Sequence, residues 1–74
     1  MEPEQMFTKE LTQAGHTVRF SITEGDRGWE VREEEDSRVV RRVRYDDWHR
    51  VERALLTMSA RVVELEEGGW RSRD

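Results

Sequence analysis

The sequence predicts an α+β domain in which a three-stranded antiparallel meander packs against one long C-terminal helix. Three segments alternate apolar and polar residues, which is typical of strands with one buried and one solvated face. A polar or glycine-containing turn separates each of these segments from the next. After the third segment, apolar residues recur every three or four positions, and this spacing indicates an amphipathic helix.

Length and composition favour a single domain over residues 1–74 that gains stability from association. A domain of this size buries only ~60% of its unfolded surface, so many such domains rely on a disulfide, a metal or a second chain. Cysteine is absent, and we therefore expect a partner chain to supply that stability. The net charge of −4 argues against a non-specific duplex-DNA binder.

The chain carries no signal for membrane insertion or export. No apolar run is long enough to span a bilayer, and the acidic N-terminus lacks a signal-peptide pattern. Arginine greatly outnumbers lysine, which is typical of GC-rich coding. We therefore expect a cytoplasmic bacterial protein without membrane contact.

The N-terminal segment admits two structures. Residues 3–14 are predicted as a short helix, because apolar side chains fall at helical spacing and Gly15 can end it. The alternative is a strand over Met6–Leu11, in which Lys9 shares a face with two apolar residues.

The first strand of the predicted meander is Thr17–Glu24, whose apolar residues alternate with polar ones. Gly25-Asp26 follows and suits a two-residue type II′ turn, because glycine is preferred at its first central position. This loop places Ile22 opposite Trp29, and Phe20 opposite Val31. The apolar faces of the two strands then coincide.

The second strand is predicted over Trp29–Glu34 and the third over Arg38–Tyr45, with an acidic turn between them. A loop of three or five residues centred near Asp36 keeps the apolar faces together, and one of these registers places Glu33 opposite Arg41. The outer face then carries Arg38, Val40, Arg42 and Arg44 against Glu30, Arg32 and Glu34. Cross-strand glutamate–arginine pairs of this kind contribute roughly 0.2–1 kcal/mol each.

The helix has clear signals at both ends. Asp46 is predicted as its N-cap, with Asp47 in the first turn, and Gly68-Gly69 as its end. Its apolar stripe consists of Trp48, Val51, Leu55, Met58, Val62 and Leu65. Trp70 lies where a Schellman motif places its hydrophobic contact, and residues 71–74 are predicted as a polar tail.

The apolar sector of this helix is wider than one packed face requires. Leu56 and Val63 fall beside the main stripe, and Ala54 lies on the other flank. One interpretation is a broad core, in which a twisted sheet and the N-terminal segment cover both flanks. The other is that Leu56 and Val63 contact a second copy of the chain, which predicts a homodimer.

Catalytic motifs are missing from the sequence. It has no cysteine, no glycine-rich phosphate loop and no Gly-x-Ser-x-Gly. His49 with Asp46 and Glu52 is a candidate metal or acid–base site, but a histidine beside exposed carboxylates at a helix start is usually solvated. We therefore expect a protein that is not an enzyme and holds neither metal nor cofactor.

Positive charge is concentrated in the third strand, at Arg38, Arg41, Arg42 and Arg44. These guanidinium groups suit an acidic or phosphate-bearing partner. Our first hypothesis is a non-catalytic module that acts through protein–protein contact. The alternative is single-stranded nucleic-acid binding, with Trp29 and Tyr45 stacking on bases. Acidic residues between Glu24 and Asp36 can neutralise the block, which favours the first hypothesis.

Two families share this layout. Ala14-Gly15-His16 before a Phe-Ser-Ile strand, with Asp46-Asp47-Trp48 opening the helix, resembles the repeat of the purine-rich-element-binding (PUR) family. That resemblance implies four strands and a helix, an intertwined dimer and single-stranded nucleic-acid binding. The strands, helix and closing Gly69-Trp70 are also similar to the WGR domain, although the Trp-Gly-Arg tripeptide is missing.

Overall fold

The computed structural model describes residues 4–73 and has an α+β fold, as predicted. An antiparallel sheet with strand order β4-β3-β2-β1-β5 packs one face against a single helix. The elements are β1 Glu4–Gln13, β2 His16–Gly25, β3 Gly28–Glu35, β4 Arg38–Tyr45, α1 Trp48–Glu67 and β5 Arg71–Ser72. The sheet is therefore larger than the predicted three strands. α1 is not long and apolar enough to cross a membrane, and it is the one helix among residues 4–73.

The predicted helix over residues 3–14 is wrong, since its described part is strand β1 up to Gln13. The alternative strand is the structure that forms, and β1 pairs along β2 from Glu4 to Gln13. A register shift at Met6, between Gln5 and Phe7, brings the apolar residues of β1 opposite those of β2. Lys9 lies opposite Phe20 and is half-buried, and the aliphatic stem of a lysine can cover apolar surface at such a position.

Two tight turns differ from the loops that the sequence predicts. Ala14 and Gly15 have φ of 52° and 82°, and Asp36 and Ser37 have φ of 50° and 70°. Positive φ at both central residues is the pattern of type I′ turns, which match the twist of antiparallel strands. Gly15 therefore closes a hairpin, where the sequence predicted a helix end.

The β2–β3 turn is one residue further along than predicted. Asp26 and Arg27 form it between the paired Gly25 and Gly28. Ile22 consequently lies opposite Val31, where the prediction placed Trp29, and Phe20 lies opposite Glu33, where it placed Val31. The register differs from the prediction by two residues. Each side chain still lies on its predicted face of the sheet, because side-chain direction repeats every two residues.

β4 has the predicted bounds and one of the predicted registers. Trp29 lies opposite Tyr45, Val31 opposite Val43, and Glu33 opposite Arg41. The connecting loop has two residues, Asp36 and Ser37, and a bulge at Val40 makes up the difference. The bulge reverses the alternation of side chains between the two faces of β4. Arg38, which pairs with Glu35, therefore falls on the helix-side face. The prediction that Arg38 shares the outer face with Arg42 and Arg44 is therefore wrong.

The turn at Asp36 is tied to the start of β2 by three hydrogen bonds. The Thr17 N–H donates to Asp36 Oδ1 at 2.9 Å, and the Asp36 N–H donates to the Thr17 carbonyl at 2.9 Å. His16 Nδ1 lies 3.0 Å from Asp36 Oδ2. The Thr17 N–H, followed by the His16 side chain, holds the pKa of Asp36 below its ordinary 3.8.

We predict that this carboxylate contributes to acid unfolding. A depressed native pKa adds stability above pH 3.8, and that stability is lost as the pH falls through the native value. Asp36→Asn keeps the favourable left-handed backbone but cannot ionise, so its stability should fall less steeply than wild type below pH 3.8. Urea unfolding at a series of acidic pH values measures the slopes, with Asp26→Asn in the exposed β2–β3 turn as the matched control. Equal slopes for Asp36→Asn and wild type would contradict the prediction.

Both ends of α1 are capped. Asp47 is the N-cap, one residue after the predicted Asp46, and its Oδ1 accepts the His49 N–H at 2.9 Å. At the C-terminus the Trp70 N–H donates to Leu65 O at 3.0 Å and the Gly69 N–H to Glu66 O at 3.1 Å. These two bonds are the predicted Schellman motif, with φ of 102° at Gly69.

The segment after α1 joins the sheet, so the prediction of a polar tail over residues 71–74 is wrong for its described part. β5 pairs with Leu11 and Thr12 of β1, and the Arg73 N–H donates to Glu10 O at 2.9 Å. Asp74 lies outside the described residues. The return of the chain to β1 covers part of that edge of the sheet.

The core lies between α1 and the strands β1 to β3. Its buried side chains are Leu11, Val18, Phe20, Ile22, Val31, Val51, Met58 and Val62. β4 contributes none of them, since only Val43 and Tyr45 in that strand are even half-buried. The fully buried core therefore ends at β3, and the helix side of β4 is only partly covered.

Candidate functional site

A groove of about 450 Å³ runs between α1 and the β3–β4 side of the sheet. We call it the arginine groove, and it is lined by Phe20, Val31, Glu33, Arg41, Val43, Tyr45, Arg50, Arg53, Ala54, Thr57, Met58 and Arg61. Its floor is apolar, from Phe20, Val31 and Val43 in the sheet and Met58 in the helix. The groove exists because β4 extends the sheet beyond the width that one helix covers.

Positive charge dominates the rim of this groove. Its arginines are Arg41 on β4 and Arg50, Arg53 and Arg61 on α1, against the single carboxylate of Glu33. Across residues 4–73, none of these arginines forms an ion pair or a hydrogen bond through its side chain. Glu33 lies opposite Arg41 in the sheet, but the two side chains do not form an ion pair. An anionic group in the groove would therefore find guanidinium donors that are not already engaged.

The outer face of the sheet has the opposite character. Arg32 Nη2 donates to Glu30 Oε1 at 2.7 Å, and Arg32 Nη1 lies 3.6 Å from Glu34 Oε1. Arg42 Nε lies 3.7 Å from Glu30 Oε2, which confirms a predicted cross-strand pair. Arg44 lies opposite Glu30 and faces the same polar depression as Arg32. Carboxylates therefore compensate the arginines on this face.

The structure thus divides the arginines predicted as a single site. Arg41 lines the arginine groove, Arg42 and Arg44 lie on the outer face, and Arg38 lies beside the Asp36 turn. Of these four predicted residues, only Arg41 lies beside other unpaired arginines. The sequence analysis missed Arg50, Arg53 and Arg61, although their spacing of three and eight residues places them on one flank of a helix. That spacing was the available signal.

Leu56 and Val63 are exposed on the side of α1 that faces away from the core, with 71% and 54% of their surface accessible. The broad-core interpretation is wrong for these two residues, because neither the sheet nor the N-terminal strand covers them. Ala54, on the other flank, is half-buried and lines the arginine groove. Ser59 and Ala60, which lie between Leu56 and Val63 in sequence, are also exposed.

The histidines do not converge with acidic residues into a ligand set. His49 Nδ1 lies 3.6 Å from Glu52 Oε1 on the solvent side of α1, and His16 contacts Asp36 at the other end of the sheet. Within the part of the chain that the structure describes, no group of three or more histidine and carboxylate side chains is placed to hold a metal ion.

No family model, no curated protein and no solved structure matches this chain.

Proposed function

We propose that this protein is a non-catalytic binding module that takes up an acidic or phosphate-bearing partner in the arginine groove. The observation that carries the proposal is the set of unpaired guanidinium groups on Arg41, Arg50, Arg53 and Arg61 around an apolar floor. On the outer face of the sheet, Arg32 and Arg42 are paired with Glu30. Four unpaired arginines beside a single carboxylate, in a chain of net charge −4, support a role in binding over a role in stability.

Mutation of the groove arginines tests this proposal. We predict that Arg53→Gln combined with Arg61→Gln weakens binding of a dye-labelled oligoglutamate of about eight residues by ~10-fold or more, since a hydrogen bond to a charged group contributes ~1.5–3 kcal/mol. Fluorescence anisotropy at low and high salt gives the affinities, and binding should weaken as salt rises. Arg19→Gln combined with Arg27→Gln, at exposed positions outside the groove, is the control with the same change in charge. Equal losses for the groove and control variants would contradict the proposal.

We further propose that the module forms a homodimer through the exposed side of α1. Leu56 and Val63 are two turns apart on that side, and a two-fold axis would pair the same residues from both chains. A domain of 74 residues has a small core, so burial of this surface would add stability that one chain lacks.

Light scattering tests the dimer. At micromolar concentration we predict a mass above that of one 8.9 kDa chain, and we predict that Leu56→Lys shifts the mass to a monomer. Thr8→Lys, at an exposed position of β1 away from α1, is the control for the added positive charge. A wild-type protein that stays monomeric would contradict the dimer and leave the groove proposal intact.

Single-stranded nucleic-acid binding is the second candidate function. It is favoured by the same groove arginines, because guanidinium groups bind phosphate and carboxylate alike. The outer face of the sheet is less suited to a phosphate backbone, since Arg32 and Arg42 are paired with Glu30 there. Tyr45 lines the groove and is placed to contact a base. Anisotropy with a labelled oligothymidylate at low salt tests this function, and absence of binding would remove it.

A further inference from the structure

We infer that the occupant of the arginine groove is an extended acidic polypeptide segment, which adds to the sheet as a strand alongside β4. This inference rests on the proposed function and names the class of partner. Three features of the described residues support it: the free edge of β4, the length of the groove, and the charge of its rim.

β4 ends the sheet, and β3 is its only strand neighbour among residues 4–73. Alternate residues of an edge strand direct their backbone N–H and C=O groups away from the sheet, where an extended chain can pair with them. The bulge at Val40 interrupts regular pairing at one end of β4. Residues 41–45 remain as the regular segment, and Arg41, Val43 and Tyr45 within it line the groove.

The regular segment of β4 and the arginine row of α1, which form opposite walls of the groove, have similar lengths. Five residues of strand extend ~17 Å, at ~3.4 Å per residue. On the opposite wall, Arg50 and Arg61 are separated by ~16 Å at ~1.5 Å per helical residue. A segment of about five residues paired with β4 would therefore pass along the whole arginine row. Its inward side chains would reach both the apolar floor at Val43 and Met58 and the guanidinium groups of α1.

Charge selects an acidic segment over a second copy of β4. An antiparallel pair of β4 strands would bring arginines from both chains close together, and like charges opposite each other destabilise a sheet. An acidic segment would instead place carboxylates beside the unpaired arginines of the groove. A segment whose groove-facing residues, at every second position, are in turn acidic and apolar matches a rim of arginine over a floor that includes Val43 and Met58.

Backbone methylation of a peptide probe tests strand addition directly. The probe is a dye-labelled peptide of about eight residues that alternates threonine with glutamate and valine. Two further versions carry N-methyl groups at the odd or at the even positions. Because only one set of amides can face β4, one version should lose affinity ~10-fold or more while the other binds as the parent does.

The outcomes separate the inference from the proposed function. If all three peptides bind equally and Arg53→Gln with Arg61→Gln weakens all three, the groove binds acidic chains without strand addition, and the inference is overturned. If no peptide binds at low salt, both the inference and the acidic-peptide form of the proposed function fail. If an oligothymidylate binds more tightly than the parent peptide and displaces it, the partner is a nucleic acid, and the inference is again overturned.

Discussion

Replacing Phe20 with alanine is expected to destabilise the protein by about 3–5 kcal/mol. Phe20 is 1% exposed and is among the largest fully buried side chains of the described residues. It lies at the centre of the core, between the sheet and α1, so truncation removes contacts from both layers. A domain of 74 residues has a total stability of ~4–11 kcal/mol at average values per residue. Phe20→Ala should therefore remove a large share of the total stability, and urea unfolding followed by circular dichroism measures the loss.

Trp48→Ala provides the comparison. The sequence places Trp48 in the buried stripe of the helix, but 41% of its surface is exposed and its ring packs 5.4 Å from the ring of Trp29. We expect this larger truncation to cost only ~1–2 kcal/mol, from the aromatic pair and its partial burial. A Trp48→Ala variant that is less stable than Phe20→Ala would show that the core is centred at the start of α1.

Replacing Gly28 with alanine is expected to cost about 3 kcal/mol, because the residue has a strained backbone and a close neighbour. Its φ of 129° lies in a region that L side chains rarely adopt. A β-carbon at this position would also collide with the backbone carbonyl oxygen of Tyr45. The variant must therefore displace either the β2–β3 turn or the end of β4, and the midpoint of urea unfolding should fall.

Gly25→Ala is the matched control for that substitution. Gly25 pairs with Gly28 across the same turn, but a β-carbon there would meet nothing within 4 Å. Alanine at such a site removes freedom from the unfolded chain and typically stabilises by about 0.4–1 kcal/mol. Equal destabilisation by both substitutions would mean that the turn tolerates neither side chain, and that the contact with Tyr45 is not the cause.

The architecture was predictable to the extent that short-range patterns determine it. Alternation identified β2, β3 and β4, and helical spacing with Gly68-Gly69 identified α1 and its Schellman end. β1 was predicted as helix because Phe7 and Leu11 fit both periods, and only pairing with β2 resolves that ambiguity. The turns at Ala14 and Asp36 lack the Asn-Gly pattern of type I′ turns, so their lengths were not evident.

The candidate site was only partly predictable. Charge spacing identified an arginine block in β4, but it gave no information on which arginines are paired with glutamates. The bulge at Val40 changes the face of Arg38, and a bulge depends on the partner strand as much as on local sequence. Arg50, Arg53 and Arg61 approach Arg41 only because α1 folds back across the sheet.

By itself, the sequence determined the class of fold, the faces of the central strands, the helix and its C-terminal cap, because hydrophobic periodicity and capping act over a few residues. Tertiary structure alone decided the strand identity of residues 4–13, the pairing of β5 with β1 and the partial exposure of β4 on the helix side of the sheet. It also gathered Arg41 with the arginines of α1, since the width of the sheet relative to one helix leaves β4 open. These features depend on contacts between residues far apart in the chain, which no local pattern encodes.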